Sequence, residues 1–310
     1  TDFTADGNID NYQYFLPQYE LGYSKNPYPT NEHSKNYGLY WGWKNVVTME
    51  KTFKRKHKTS LMLGHEMTSR SSDYLQGKRT HGDNLLTDLD AGDAAYATNS
   101  GRASKTTYLS YFSRLFYSYD NRYQLTATVR RDGTSRFAKG NRWGIFPSFS
   151  AGWRLSEEEF MKDIPWIYNL KLRASWGQLG NQMIEGYWPY LTVINQNYNL
   201  SYNYGGSLAP GAAVTALVDE DITWETTSSL DIGLDLGFLN NKLSIEADYF
   251  NKKTTDIIVQ LPISNILGDK TAPFENVGEM KNNGFELVAN YDNLEASRDR
   301  LGFNVGFNFT

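Results

Sequence analysis

Residues 228–238 alternate with a period of two. Leu230, Ile232, Leu234, Leu236 and Phe238 fall on one side, and Ser229, Asp231, Gly233, Asp235 and Gly237 on the other. Successive side chains of a strand point to opposite faces, so this contrast predicts a strand with one apolar and one polar face. Asn240-Asn241 follows, a pair suited to a tight turn with positive φ. Leu243, Ile245, Ala247 and Tyr249 then alternate with Ser244, Glu246 and Asp248. The two stretches read as a hairpin with one apolar face and one acidic, wet face.

The pattern recurs along the chain. Tyr123, Leu125, Ala127 and Val129 alternate with Gln124, Thr126, Thr128 and Arg130. Phe149, Ala151, Trp153 and Leu155 alternate with Ser148, Ser150, Gly152 and Arg154, and Leu170, Leu172, Ala174 and Trp176 with Lys171, Arg173, Ser175 and Gly177. Residues 301–309 behave alike, residues 285–291 less cleanly because Val288 shares the face of Glu286 and Asn290, and residues 39–53, 58–68 and 108–119 more weakly. About ten strands result. Short connections (54–56, 120–121, 240–241, 292–299) alternate with long ones (69–107, 180–223, 255–281), and residues 132–142 occupy a long-loop position. A single short helix is expected at Ser156-Glu157-Glu158-Glu159, with Ser156 as N-cap, Glu159 closing a capping box and Pro165 ending it.

The apolar faces need a partner. No apolar run approaches the roughly 20 residues of a membrane helix; they are only a few residues long, as in Ile257-Ile258-Val259. Yet 22 Tyr, 16 Phe and 8 Trp make the chain 15% aromatic, at a mean hydropathy of −0.58. Outer-membrane strands carry this weak dyad signal, short periplasmic turns and long outer loops, with Tyr and Trp at the lipid–water interfaces. Lipid tolerates strands only in a closed barrel. The expectation is an all-β transmembrane antiparallel up-and-down barrel, of which these strands form part; barrels of about 22 strands hold a plug. A soluble β-sandwich also alternates, but it gives no reason for the loop parity or the Gly-rich polar faces. There is no Cys, a net charge of −4, and no basic stripe for nucleic acid. The chain opens Thr1-Asp2-Phe3 without a leader and closes on Phe307-Asn308-Phe309-Thr310, so both ends read as cuts through a longer protein.

Four blocks resemble the SusC/RagA family of TonB-linked outer-membrane transporters. The first runs from Tyr117-Ser118-Tyr119-Asp120-Asn121-Arg122 through Arg130-Arg131-Asp132-Gly133-Thr134-Ser135-Arg136-Phe137, Asn141-Arg142-Trp143-Gly144-Ile145-Phe146-Pro147-Ser148 and Ala151-Gly152-Trp153-Arg154-Leu155-Ser156-Glu157-Glu158. The others are Leu170-Lys171-Leu172-Arg173-Ala174-Ser175-Trp176-Gly177 with Gly180-Asn181-Gln182, Trp224-Glu225-Thr226-Thr227 with Gly233-Leu234-Asp235, and Asn276-Val277-Gly278-Glu279-Met280-Lys281-Asn282-Asn283-Gly284-Phe285-Glu286. Residues 1–107 match by strand pattern alone. The resemblance implies one barrel domain over residues 1–310 in the outer membrane of a Gram-negative bacterium. It implies import of oligosaccharides or peptides, energised by TonB, with a SusD-like lipoprotein lid. The plug, the TonB box and the carboxy-terminal strand would lie outside this chain.

Candidate chemistry is sparse. Asp231, Asp235, Glu246, Asp248 and Glu286, with Arg114, Arg130, Arg154 and Arg173, fall on the polar faces and are expected to line the lumen. The arginines either contact a plug or anionic substrate or pair with carboxylates across strands. The acidic oxygens lack EF-hand spacing. His33, His57, His65 and His81 show no zinc-ligand spacing, and no GxSxG elbow or phosphate loop occurs, so no enzyme, metal or cofactor is expected. Tyr187, Trp188, Tyr190, Tyr198, Tyr202 and Tyr204 crowd the 180–223 loop, where they could stack on substrate, dock a lid or pack on one another. Beside the importer stand a passive porin-like channel and a surface binding or scaffold barrel.

Overall fold

The computed structural model describes residues 1–184, 186–268, 270–293 and 302–310; of residues 197–199 only the backbone is described. Its strands are β1 (Asp2–Leu16), β2 (Tyr19–Leu21), β3 (Ser24–Asn26), β4 (Thr30–Phe53), β5 (His57–Thr80), β6 (Thr98–Tyr119), β7 (Tyr123–Thr134), β8 (Trp143–Arg154), β9 (Ile167–Asn181), β10 (Ile194–Tyr204), β11 (Ser207–Val214), β12 (Glu225–Phe238), β13 (Leu243–Gln260), β14 (Phe274–Asn293) and β15 (Phe303–Phe309). Eleven form one sheet in the order β1-β4-β5-β6-β7-β8-β9-β12-β13-β14-β15, while β2–β3 and β10–β11 are small separate hairpins. The chain divides into two compact units, residues 1–45 with 66–109 and residues 46–65 with 110–310.

In the larger unit the registers align the apolar positions into ranks. One runs Tyr123, Trp153, Leu172, Leu234, Ala247, Leu287, Phe309 across seven strands. The next runs Leu125, Ala151, Ala174, Ile232, Tyr249, Phe285. Between them, on the opposite face, lies the polar rank Gln124, Gly152, Arg173, Gly233, Asp248, Glu286. The alternation read from single strands thus becomes an apolar surface on one side of the sheet and a charged one on the other. Leu125, Phe149, Leu230 and Ile232 are exposed on the apolar side.

Short and long connections alternate in chain order, except that residues 155–166, at a short position, outrun residues 135–142, at a long one. The tight turns need left-handed backbone, and Lys54, Arg55, Asp120, Asn121, Leu239, Asn240 and Asn241 all adopt φ between 46° and 67°. Asn240-Asn241 is the expected tight turn. The 292–299 connection and Leu301 fall mostly or wholly outside the described residues.

The structure departs from the sequence reading in three places. The 1–38 region contains a full strand, β1, so eleven strands rather than ten build the sheet. The long loops are shorter than expected, because β5, β6, β13 and β14 continue their pairing beyond the alternating stretches, and residues 180–223 contain the β10–β11 hairpin. The expected helix at residue 156 is instead two 3-10 turns, Leu155–Glu157 and Glu159–Met161, neither capped by a side chain. Glu158 between them is extended, φ −81° and ψ 149°. Its carboxylate accepts from the Tyr123 hydroxyl (2.6 Å), Trp153 Nε1 (3.1 Å) and Arg122 Nη1 (3.0 Å). Those hydrogen bonds, Tyr123's foremost and then Trp153's, together with the Arg122 charge, hold the Glu158 carboxyl below the usual carboxylate range. Glu159, the expected capping-box residue, accepts instead from Lys162 Nζ (2.8 Å to each oxygen), so no capping box forms to nucleate a helix.

The densest packing in the larger unit lies where its long loops leave the strands. Phe137 (0% exposed), Ile222 (0%), Trp224 (5%) and Phe146 (7%) are buried. Trp224 meets Phe137 and Phe146 edge-on, at centroid distances of 5.6 and 5.5 Å, and its Nε1 donates to the Arg142 carbonyl (3.3 Å). A Cβ at Gly144 or Gly180 would collide with the Phe146 ring. Asn276 clamps the neighbouring turn, accepting from the Thr223 amide (2.8 Å) and donating to the Thr223 carbonyl (3.0 Å) and the Asp256 carbonyl (2.7 Å).

Candidate functional site

The polar face carries its charge in a cluster centred on Arg173. Its Nε donates to Asp235 Oδ1 (2.7 Å) and its Nη2 to Asp248 (2.9 and 3.2 Å), while Nη1 lies 4.0 Å from Asp231. Arg173 on β9 and Asp248 on β13 are not adjacent; Gly233 of β12 sits between them in register. Gly233 has no side chain, so the guanidinium can cross a strand. A Cβ there would collide with Asp248 Oδ1 and the guanidinium itself. One Arg fork thereby joins three strands and serves carboxylates that would otherwise repel one another.

The remaining charged residues are less concentrated. Arg130 grips the buried Asp132 through Nε (2.7 and 3.0 Å) and donates to Ser110 Oγ (2.8 Å). Arg154 Nη1 lies 4.0 Å from Glu157. Glu246 pairs in register with Asp235, and Glu286 with Asp248. Neither these two nor Arg114 makes an ion pair among the described residues. Arg173, Asp231, Asp235 and Asp248 are brought together; Arg114, Arg130 and Arg154 are not part of that cluster. Gly233, which makes it possible, was missed by sequence reasoning. Its signal was a Gly flanked in the pattern by two Asp, on the face where every other rank offers charge.

The 180–223 aromatics separate into two groups. Tyr187 and Trp188 meet at 6.1 Å beside Arg136, whose Nη1 donates to the Ile184 and Gly186 carbonyls (2.7 and 3.0 Å); Tyr190 is half-buried nearby in sequence. Tyr202 and Tyr204 stand on one side of β10, 74% and 84% exposed, next to the Gly205-Gly206 turn. No ring contact joins the two groups among the described residues. The Tyr198 side chain lies outside the description.

An alanine at Gly233 is expected to push Arg173 from Asp248 and cost about 1–2 kcal/mol, between the values for exposed and buried ion pairs. Urea unfolding of the full-length protein in lipid vesicles measures it. In an Asp248→Asn background the Gly233→Ala cost should shrink; strictly additive costs would show that Gly233 acts elsewhere.

With the sheet and its charged face defined, comparison with known proteins is decisive. The family model described as TonB dependent receptor-like, beta-barrel, matches residues 1–310. The chain belongs to this family. It is similar to the TonB-dependent receptor SusC of Bacteroides thetaiotaomicron, 31% identical over 312 residues, covering 93% of this chain and 30% of that protein. It is likewise 31% identical over 269 residues to the TonB-dependent receptor P3 of Formosa agariphila, covering 86% of this chain and 26% of the relative. Among solved structures, the RagAB peptide importer in its closed-closed state superposes with a TM-score of 0.82 at 25% identity, over 99% of this chain and 33% of that one. The chain therefore spans about a third or less of these relatives' length. Within this TonB-dependent receptor barrel, the blocks that carried the resemblance meet physically. Arg142, Gly144 and Phe146 come from one block, Gly180 from the second, Trp224 from the third and Asn276 from the fourth, and all but Asn276 meet around the Trp224 core. The motif residues hold the loops to the strands, which is why their spacing is so specific.

Proposed function

We propose that the chain is one stretch of a single barrel domain in an outer-membrane importer of large nutrients, oligosaccharides or peptides. TonB energises it, and a SusD-like lipoprotein closes it from outside. The observation that carries the reading is the two-faced sheet within a TonB-dependent receptor family. Its apolar ranks lie against lipid, and the Arg173–Asp235–Asp248 face, with Arg114, Arg130, Arg154, Asp231, Glu246 and Glu286, lines the lumen, where polar side chains belong. Similarity to SusC and to the RagAB peptide importer supports active import over a passive pore. The long connections face outward, and Tyr187, Trp188, Tyr190, Tyr202 and Tyr204 meet substrate or lid there.

Two measurements test this in cells carrying the full-length gene. Nutrient uptake should collapse when the proton-motive force is dissipated, whereas uptake that persists would mark a passive channel. Replacing Trp188, Tyr190 and Tyr202 together by Ala should weaken uptake while heat stability is kept, since stacking contributes on the order of 1 kcal/mol per ring. Normal growth of the triple variant on the native nutrient would remove these rings from the site.

A further inference from the structure

In the smaller unit the β1–β4 register changes chemistry abruptly along one face. Four successive ranks are apolar or small: Phe3 with Trp43, Ala5 with Trp41, Gly7 with Leu39, Ile9 with Tyr37. The next two are Asn11 with Lys35 and Gln13 with His33. Ranks on one face are about 7 Å apart, two residues of strand rise, so Lys35 stands about one headgroup depth beyond the Tyr37 ring. Tyr is the residue expected at that boundary.

Those polar ranks open into a cavity of about 600 Å³, lined also by Tyr12, Ser34, Leu75, Gln76, Gly77 and Asn99. Leu89 closes one side, and Gly77 leaves it room: a Cβ there would lie 2.9 Å from Leu89 Cδ2. The 81–97 connection is fixed over the cavity because Gln13 Nε2 (3.0 Å) and His33 Nε2 (3.1 Å) both donate to the Thr87 carbonyl. No carboxylate lines it, and Lys35 makes no ion pair among the described residues. An ammonium among neutral amides, with no anion of its own, suits an anionic ligand that also presents hydroxyls.

We propose that Asn11, Gln13, His33, Lys35, Gln76 and Asn99 form a binding site for the phosphorylated sugar headgroup of an outer-leaflet glycolipid. Lys35 takes the phosphate, the amides take the sugar hydroxyls, and the acyl chains lie down the Ile9–Tyr37 and Gly7–Leu39 ranks. The site rests on the reading that this apolar face meets lipid. Its neutral, amide-rich walls and its place at the end of an apolar band distinguish it from a surface lysine patch.

The test titrates the full-length receptor in detergent with a hexa-acylated diglucosamine bisphosphate, its dephosphorylated form, and glucosamine 6-phosphate, with bound species counted by native mass spectrometry. The bisphosphate lipid should bind saturably. Lys35→Glu should weaken it by about tenfold or more, the loss of one charge-assisted hydrogen bond, while Lys44→Glu, on the opposite face, should not. Equal binding to wild type and Lys35→Glu overturns the site, and glucosamine 6-phosphate binding as tightly as the lipid overturns the lipid as its source. A spin label on Ile9→Cys, read in lipid nanodiscs, separates the two readings. A label buried in lipid with no effect at Lys35 sinks the headgroup site alone, and a label in water sinks the lipid-facing assignment as well.

Discussion

Trp224→Ala is expected to lower stability by about 3–5 kcal/mol, the range for truncating a buried Trp to Ala. The ring touches Phe137 and Phe146 edge-on, a geometry that adds about 0.5–1.5 kcal/mol per pair beyond area burial. Neighbouring backbone cannot simply collapse into the gap, because Gly144 and Gly180 already lie against the Phe146 ring. The Arg142 carbonyl also loses its Nε1 donor. Trp224→Phe keeps most of the packing and should cost far less. Hydrogen exchange on the full-length protein in nanodiscs gives a spatial readout: protection should fall first at residues 135–142 and in the strand ends they join. A Trp224→Ala cost no larger than that of Trp188→Ala, whose ring is exposed, would show that no such core holds the loops.

What the sequence revealed follows from where lipid contrast exists. Period two is legible wherever one face meets lipid and the other a polar space, as in residues 228–238. Past that band both faces are wet, so residues 69–80 and 98–107 show no alternation although they pair as strands in β5 and β6. β1 was missed for a related reason: Ala5 and Gly7 occupy its apolar face between Phe3 and Ile9, and small residues dilute the contrast. Ser156 to Glu159 carried a sound local signal for a helix, but Glu159 is taken by Lys162 Nζ, and Glu158 beside it is drawn to Arg122, Tyr123 and Trp153. The charged cluster was legible as a face but not as a contact. Which Asp reaches Arg173 depends on a strand register, and on one Gly, that no single strand encodes. The Trp224 core was visible only as motif spacing, since its members come from three separate stretches of the chain.

Ile232→Arg is expected to destabilise the full-length barrel by roughly 2–4 kcal/mol, the cost of a cation near the midplane of the lipid face. Ile232 stands among central ranks, flanked in register by Ala174 and Tyr249, and is half-exposed. Beside it Leu115, Leu125, Phe149, Trp176 and Leu230 line an almost wholly apolar depression of about 500 Å³. In water such a surface would be an aggregation liability; in a bilayer acyl chains fill it. The polar side offers the internal control. Asp231 is partly solvated, 4.0 Å from Arg173 Nη1, and Arg173 keeps Asp235 and Asp248, so Asp231→Asn should cost less than about 1 kcal/mol. The two positions are adjacent in β12, share backbone environment and depth, and differ only in the face they occupy. Urea unfolding in lipid vesicles therefore compares the faces directly. A large cost at Ile232 beside a small one at Asp231 fixes the apolar ranks against lipid, and equal costs would reverse or erase that assignment.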